Sequence, residues 1–304
     1  GSAKNSNTPI AQGVLSAIVR SAIDIDWMNQ RQGDSRYSTD NSGLWVRARY
    51  QKTSLDNTLS LKGTVVQAGY EHIKPMENAN LQLGIGLDYA DKEAKLTGYQ
   101  GQNDLDRLGV ILYGTYTHDS GWYQDTVLRL GKISADWTYD GYGISGKSKQ
   151  WYGSLSIEGG RRFDLSPTWY VEPQAQLQLS RVSGQSYQTN YGVGVVQDGT
   201  TSLIGRLGVR VGKDWLSEDG ALRNALYLRA DILREFAGEE SLTLTGKDRS
   251  LSVETSGHRT WFNLGAGMNW AVTPRWKLHT EVNRQWGNGL RDAWLINGGM
   301  RYAF

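Results

Sequence analysis

The sequence predicts an all-β protein, a twelve-stranded antiparallel transmembrane β-barrel with an N-terminal α-helix running through its lumen. Three observations carry that reading: a period-two alternation of side chains, an excess of Trp and Tyr at low mean hydropathy, and connections that alternate between short and long. The alternation is clearest at the end of the chain. There Trp294, Ile296, Gly298, Met300, Tyr302 and Phe304 share one face, and Leu295, Asn297, Gly299, Arg301 and Ala303 the other. A strand needs an apolar face opposite a polar, glycine-containing one when one side meets lipid and the other a wet lumen.

Composition agrees. Mean hydropathy is only −0.52, yet 12 Trp and 16 Tyr stand against 4 Phe. Trp and Tyr suit a membrane–water boundary because each joins an apolar ring to a polar edge. Only alternate residues of a barrel strand face lipid, so averaging over the sequence hides the apolar band. With 304 residues the chain is long enough for one large all-β unit. The absence of Cys excludes disulfides, thiolate metal sites and Cys nucleophiles, and suits an oxidising envelope. A formal charge of +2 without a basic run gives no sign of a nucleic-acid partner. Residues 1–7, opening on Gly1-Ser2, read as a cloning remnant and the end of whatever precedes, with no signal peptide after them.

Residues 8–42 read as a linker containing a slim helix. Thr8-Pro9 suits a helix start. Ile10, Val14, Leu15, Ile18, Val19, Ala22, Ile25 and Met28 then recur mostly at spacings of three and four, and Gly33 offers a stop. Arg20, Asp24 and Asp26 exclude a membrane span. Residues 43–304 read as the barrel. Strands are expected at about 43–52, 63–74, 80–92, 103–118, 121–138, 148–163, 168–182, 201–214, 222–236, 257–272, 275–287 and 291–304. In the third, Leu81, Leu83, Ile85, Leu87 and Tyr89 oppose Gln82, Gly84, Gly86 and Asp88. Connections after even-numbered strands are mostly short and carry Pro75, Asp119-Ser120-Gly121, Pro167, Asp219-Gly220 and Pro274. Those after odd-numbered strands are longer and polar, at 53–62, 91–102, 139–147, 184–200 and 238–256. Short turns at one end and long loops at the other distinguish a membrane barrel from a soluble lectin-like sandwich.

If the short turns are periplasmic, the first strand begins at that end. A helix of ~24 residues measures ~36 Å, enough to traverse the lumen. The helix offers Ile10, Val14, Ile18, Arg20, Asp24, Asp26 and Arg31, and the inward faces offer Arg49, Glu158, Glu172, Gln174, Arg206, Arg210, Arg229, Asp231, Glu281 and Arg301 as lumen partners. Each of these has an alternative use in a strand-to-strand lumen pair. Gly84, Gly86, Gly159 and Gly208 are expected to give the helix clearance, or to mark strand bulges.

Five segments carry a family resemblance. They are Asn29-Gln30-Arg31-Gln32-Gly33-Asp34-Ser35-Arg36, Gly43-Leu44-Trp45-Val46-Arg47, Tyr170-Val171-Glu172-Pro173-Gln174-Ala175-Gln176-Leu177, Ser202-Leu203-Ile204-Gly205-Arg206-Leu207-Gly208-Val209-Arg210 and the C-terminal strand. With these the chain resembles, from about residue 8 onward, the C-terminal translocator (β-domain) of a monomeric type Va autotransporter of the AIDA/pertactin-like kind. The resemblance implies a twelve-stranded barrel in the outer membrane of a Gram-negative bacterium, with the helix inside. It implies export of the protein's own N-terminal passenger without a nucleotide-driven step, the helix plugging the pore afterwards. Expected partners are outer-membrane lipid and lipopolysaccharide, the barrel assembly machinery and the passenger, with a monomer as the oligomeric state. By the same resemblance Trp294, Ile296, Met300, Tyr302 and Phe304 form the C-terminal assembly signal.

No enzyme, cofactor or metal is expected. His72, His118, His258 and His279 are scattered without metal-ligand spacing, and no Walker-type glycine loop is present. Some relatives cut themselves inside the barrel at an Asn-Asn pair. Alignment on Arg31–Arg36 puts Asp26-Trp27 there instead, which argues against that chemistry, while Glu158, Glu172 or Glu281 remain candidates to assist a scission further upstream. The alternative function is a twelve-stranded porin or solute-specific channel. A porin begins its first strand soon after signal cleavage, so the helix at 8–31 discriminates between the two.

Overall fold

A computed structural model describes residues 24–55, 59–96, 101–139, 143–220, 222–237, 240–245, 250–255, 258–287 and 290–304. Twelve strands form the barrel wall: β1 (Ser42–Leu55), β2 (Leu59–Met76), β3 (Ala79–Leu96), β4 (Gly101–His118), β5 (Trp122–Tyr139), β6 (Ile144–Arg161), β8 (Trp169–Val182), β11 (Thr200–Leu216), β12 (Arg223–Glu235), β15 (Arg259–Ala271), β16 (Trp276–Gly287) and β17 (Leu290–Ala303). Each pairs antiparallel with its sequence neighbour in the wall, and β17 pairs with β1 over Gly43–Ser54, so the sheet closes. Closure leaves no exposed strand edge within the bilayer.

Several strands are longer than the apolar alternation suggests, while β8, β12, β15, β16 and β17 lie within two residues of the expected bounds. β2 begins at Leu59 and β3 runs to Leu96, because the backbone ladder continues through polar residues where the lipid-facing pattern has already stopped. Two of the long connections contain strands of their own. β9 (Gln185–Gln188) and β10 (Gly194–Gln197) lie in one, β13 (Glu240–Thr245) and β14 (Ser250–Thr255) in the other, and they join in a four-stranded sheet. The two-residue β7 (Phe163–Asp164) adds to β8 beside a short turn.

The wall is inverted relative to a soluble protein. Ile85, Leu87, Leu108, Leu177, Leu207 and Leu228 are 54–65 % exposed on the outside, whereas Arg47, Glu71, Asp88, Arg107, Glu172 and Arg210 are at most 1 % exposed inside. Aromatic residues bound the aliphatic band. Trp276, Tyr302, Phe304 and Tyr70 cluster at the short-turn end, and Phe262, Trp286 and Trp294 lie at the other, as an amphipathic ring at an interface requires.

Inward aromatic rings are seated over glycines. Strand register places Trp45 opposite Gly69, Tyr113 opposite Gly84, Tyr123 opposite Gly160, Trp137 opposite Gly146, Tyr170 opposite Gly212 and Tyr227 opposite Gly267. A methyl group on Gly84 would lie 2.0 Å from Tyr113 Cζ, and one on Gly208 would lie 2.0 Å from Asp231 Oδ1. These glycines therefore make room for wall side chains, and the expectation that they clear space for the helix is corrected. For Gly86 and Gly159 the nearest atom to an added methyl is likewise in the wall, Ala68 O at 2.7 Å and Tyr123 O at 3.5 Å.

The lumen segment also differs from expectation. Ile10, Val14, Ile18 and Arg20 lie outside the described residues. From residue 24 the chain is non-helical as far as Trp27, which is extended (φ −112°, ψ 163°), followed by one helical turn, α1 (Met28–Gln32), and a 3₁₀ turn at Ser35–Tyr37. A continuous helix through Asp24–Trp27 is thus not formed. Gly33, at φ +59°, ends α1 in a conformation that favours glycine.

Candidate functional site: the occupied lumen

The non-helical stretch at residues 24–27 explains itself through its partners. Asp24 O accepts from Arg129 Nη2 and Gln178 Nε2, both at 2.8 Å, Ile25 O from Arg49 Nη1 at 3.2 Å, and Asp26 O from Gln176 Nε2 at 2.7 Å. Wall side chains thus occupy carbonyls that a helix would use for itself, so the backbone is satisfied without helical turns.

Charge is matched level by level. Highest in the described lumen, Asp24 pairs with Arg49 (2.9 Å), Lys92 (2.5 Å) and Arg107 (2.8 Å). Asp26 accepts from Arg47 Nη1 (3.0 Å) and Arg49 Nη1 (3.3 Å). Asp88 holds Arg107 from the wall, at 2.9 Å. One level down, Trp27 is 1 % exposed. Its Nε1 donates to Glu281 Oε1 at 2.7 Å, and the Arg229 and Arg206 guanidiniums lie 4.5 and 5.1 Å from its ring centroid, two cation–π contacts on a buried ring. Met28 N donates to Glu158 Oε1 at 2.9 Å.

In α1, Arg31 makes a bidentate pair with Asp125 at 3.1 and 2.6 Å and lies 4.2 Å from the Tyr113 ring centroid. Gln30 O accepts from Asn297 Nδ2 at 2.7 Å and is 3.1 Å from His279 Nε2. Nearest the short turns, Asp34 accepts from Arg210 at 3.1 and 3.0 Å and from Asn269 Nδ2 at 2.7 Å, and Arg36 pairs with Glu172. Burial by itself would raise the Asp34 carboxyl. The Arg210 and Arg36 guanidiniums outweigh burial and hold it well below the usual carboxylate range. Asp40 and Glu71 then share Arg301 as the chain turns into β1.

The expected residues therefore fall into three groups. Arg49, Glu158, Glu172, Arg206, Arg210, Arg229 and Glu281 touch the segment of residues 24–36, as does Gln174, whose Nε2 is 3.2 Å from Asn29 Oδ1. Asp231 does not touch it: its carboxylate serves Arg206, Arg229 and Asn263 within the wall. Arg301 meets the linker at Asp40, beyond α1. Sequence reasoning missed Arg47, Lys92, Arg107, Arg129 and Asp125, although their place in the period-two pattern puts each on an inward face. Trp294, Ile296, Met300 and Phe304 stand on the outer face of β17, 41–58 % exposed, and Tyr302 packs on Trp276 with ring centroids 4.8 Å apart.

A closed twelve-stranded barrel whose lumen grips its own N-terminal segment narrows the choice of family, and comparison decides it. The family model described as autotransporter beta-domain matches residues 42–283. The chain belongs to the autotransporter β-domain family. The pertactin autotransporter of Bordetella parapertussis is 31 % identical over 284 residues, covering 91 % of this chain and 30 % of the relative. The chain thus spans less than a third of that relative's length. The crystal structure of the β-domain of the Bordetella autotransporter BrkA superposes with a TM-score of 0.76 at 27 % identity, covering 87 % of this chain and 100 % of that one. The transport unit of AIDA-I from Escherichia coli shares the fold, with a TM-score of 0.70 at 17 % identity over 97 % and 99 % of the two chains. This autotransporter β-domain is an outer-membrane β-barrel translocator, the part of an autotransporter that exports a passenger.

Proposed function

We propose that the β-domain exports the polypeptide joined to its N-terminal side and retains residues 24–41 afterwards as a stopper, with the long connections facing the cell exterior. One observation carries this reading. Each charged residue between Asp24 and Arg36 has a wall partner of opposite sign, and four carbonyls of the segment, those of Asp24, Ile25, Asp26 and Gln30, are bonded by wall side chains. A diffusion channel has no use for a lumen complementary to its own chain, so the porin reading loses ground. The passenger's folding outside supplies the direction of transport, and no nucleotide enters.

The remaining partners belong to the same proposal: outer-membrane lipid against the aliphatic band, and the assembly machinery reading Trp294, Ile296, Met300, Tyr302 and Phe304 on the last strand. The domain acts without enzymatic chemistry. Glu158, Glu172 and Glu281 are engaged by Met28 N, Arg36 and Trp27 Nε1, which commits them to holding the segment and speaks against their assisting a cut upstream of it.

The test is single-channel conductance in a planar bilayer, comparing the intact chain with one lacking residues 1–36. Low conductance in the first and a several-fold larger, stable pore in the second is expected. Equal and large conductance in both overturns the stopper and returns the barrel to the porin class.

A further inference from the structure

Outside the lumen, the lipid-facing rim at the long-connection end is divided by charge. On β3–β5, Asp91, Asp104, Asp106 and Asp136 are exposed, and register sets Asp91 against Asp106 and Asp104 against Asp136. This sector repels an anionic lipid. A short way round the barrel, where β17 and β1 close the wall, the sign reverses. Register there pairs Arg284 with Trp294, Trp294 with Lys52, and Lys52 with Lys62. The four side chains stand in one row on the outer face, from strands about 4.8 Å apart, and the register continues from Lys62 to the half-exposed Glu93 on β3, where the acidic sector begins.

The row has the character of a ligand site. The Arg284 guanidinium lies 5.0 Å from the Trp294 ring centroid, leaving donors free to turn outward, and one carboxylate, Asp292, pairs with it at 3.3 Å. Lys52 and Lys62 are exposed and face each other directly, an arrangement that costs stability unless an anion lies between them. Glu93, opposite Lys62, pairs instead with Lys95 at 3.2 Å, and among the described residues no carboxylate lies within ion-pair distance of Lys52 or Lys62. The next outward row towards the bilayer centre holds Tyr50, Ile296 and Val282, paired in register and 43, 51 and 37 % exposed. Cations thus stand at the interface directly above an aromatic and aliphatic strip.

We propose that this seam binds lipopolysaccharide, with the lipid A phosphates held by Lys52, Lys62 and Arg284 and the acyl chains lying along Tyr50, Ile296 and Val282. Charge-assisted hydrogen bonds from two ammonium groups and a forked guanidinium suit phosphate oxygens. The acidic sector that begins on β3 keeps the lipid off that side of the seam. Because Lys52 and Trp294 lie on the two strands that close the wall, a lipid bridging them fastens the closure from outside.

The proposal rests on the outward orientation of the long connections. Protease cleavage of intact cells within residues 184–200 tests that orientation by itself, so the two failures are distinguishable. For the site, the full chain and the K52A/K62A/R284A variant are folded in a neutral maltoside detergent and titrated with hexa-acyl diphosphoryl lipid A, with bound lipid counted by native mass spectrometry. The wild type is expected to retain one lipid A at a concentration at least tenfold lower than the variant. Dephosphorylated lipid A and phosphatidylglycerol are expected to bind both proteins alike and weakly. Equal retention of lipid A by both proteins overturns the site, and so does phosphatidylglycerol binding as tightly as lipid A, which would make the row a general anionic-lipid contact. Should the triple variant fail to fold, as judged by heat-modifiable migration, K62E carries the same comparison and leaves the Arg284–Trp294 stack intact.

Discussion

Arg31 and Asp125 are both nearly fully buried, with side chains 5 and 3 % exposed, so each is the other's main compensation for leaving water. Removing one partner of such a pair costs about 3–5 kcal/mol, whereas replacing both with apolar residues is often neutral. R31A is therefore expected to raise the open fraction of the pore in bilayer recordings, with R31M/D125L restoring the closed level. If R31A closes as well as the parent, the pair does not hold the segment. Asp34 gives the pH dependence. Its carboxyl is depressed by Arg210 and Arg36, so its contribution is complete above the unfolded value of about 4 and is lost as pH falls through the folded one. Closure is expected to be constant from about pH 7 to 5 and to weaken below about pH 4, an effect that D34N removes. At this scale the sequence was partly legible. Alternation along β1 carried Arg49, and the same alternation contains Arg47 two residues earlier. Which inward charges meet the segment, as Glu281 does, and which stay within the wall, as Asp231 does, depends on register between strands distant in sequence.

Among the elements, the strands were legible because lipid on one side and water on the other force a period of two. The ends of some, such as β2 and β3, were not, since backbone pairing continues past Lys62 and Ala90 after the apolar face has ended. Between Asp24 and Trp27 the sequence misled for a related reason. Its apolar spacing of three and four suits a helix, but the local pattern contains nothing of Arg129, Gln176 and Gln178, whose side chains take the carbonyls of residues 24 and 26. The glycine–aromatic pairs yield a prediction for whole strands. G84A sets a methyl into the Tyr113 ring, an overpacking of about 1–3 kcal/mol. It is expected to lower the midpoint of heat-modifiable unfolding, with G84A/Y113A recovering part of the loss. G159A, with no atom nearer than 3.5 Å to the added methyl, serves as the neutral comparison.

Across the whole molecule, closure of β17 on β1 and occupation of the lumen by residues 24–41 make the barrel and its segment one hydrogen-bonded body. Hydrogen exchange followed by mass spectrometry is expected to show peptides covering 28–37 protected almost as well as the central wall. Protection at the level of a free peptide would place the segment outside the cooperative unit. The seated aromatic rings bear on the molecule in another way. Strand number and stagger together fix the circumference of the backbone, but the clear width of the passage depends on how flat Trp45, Tyr113, Tyr123, Tyr170 and Tyr227 lie against their glycines. A single added methyl group lifts a ring off the wall and towards the axis. The width left for a passing polypeptide is thus set by which inward positions carry glycine, without adding a strand or altering a loop.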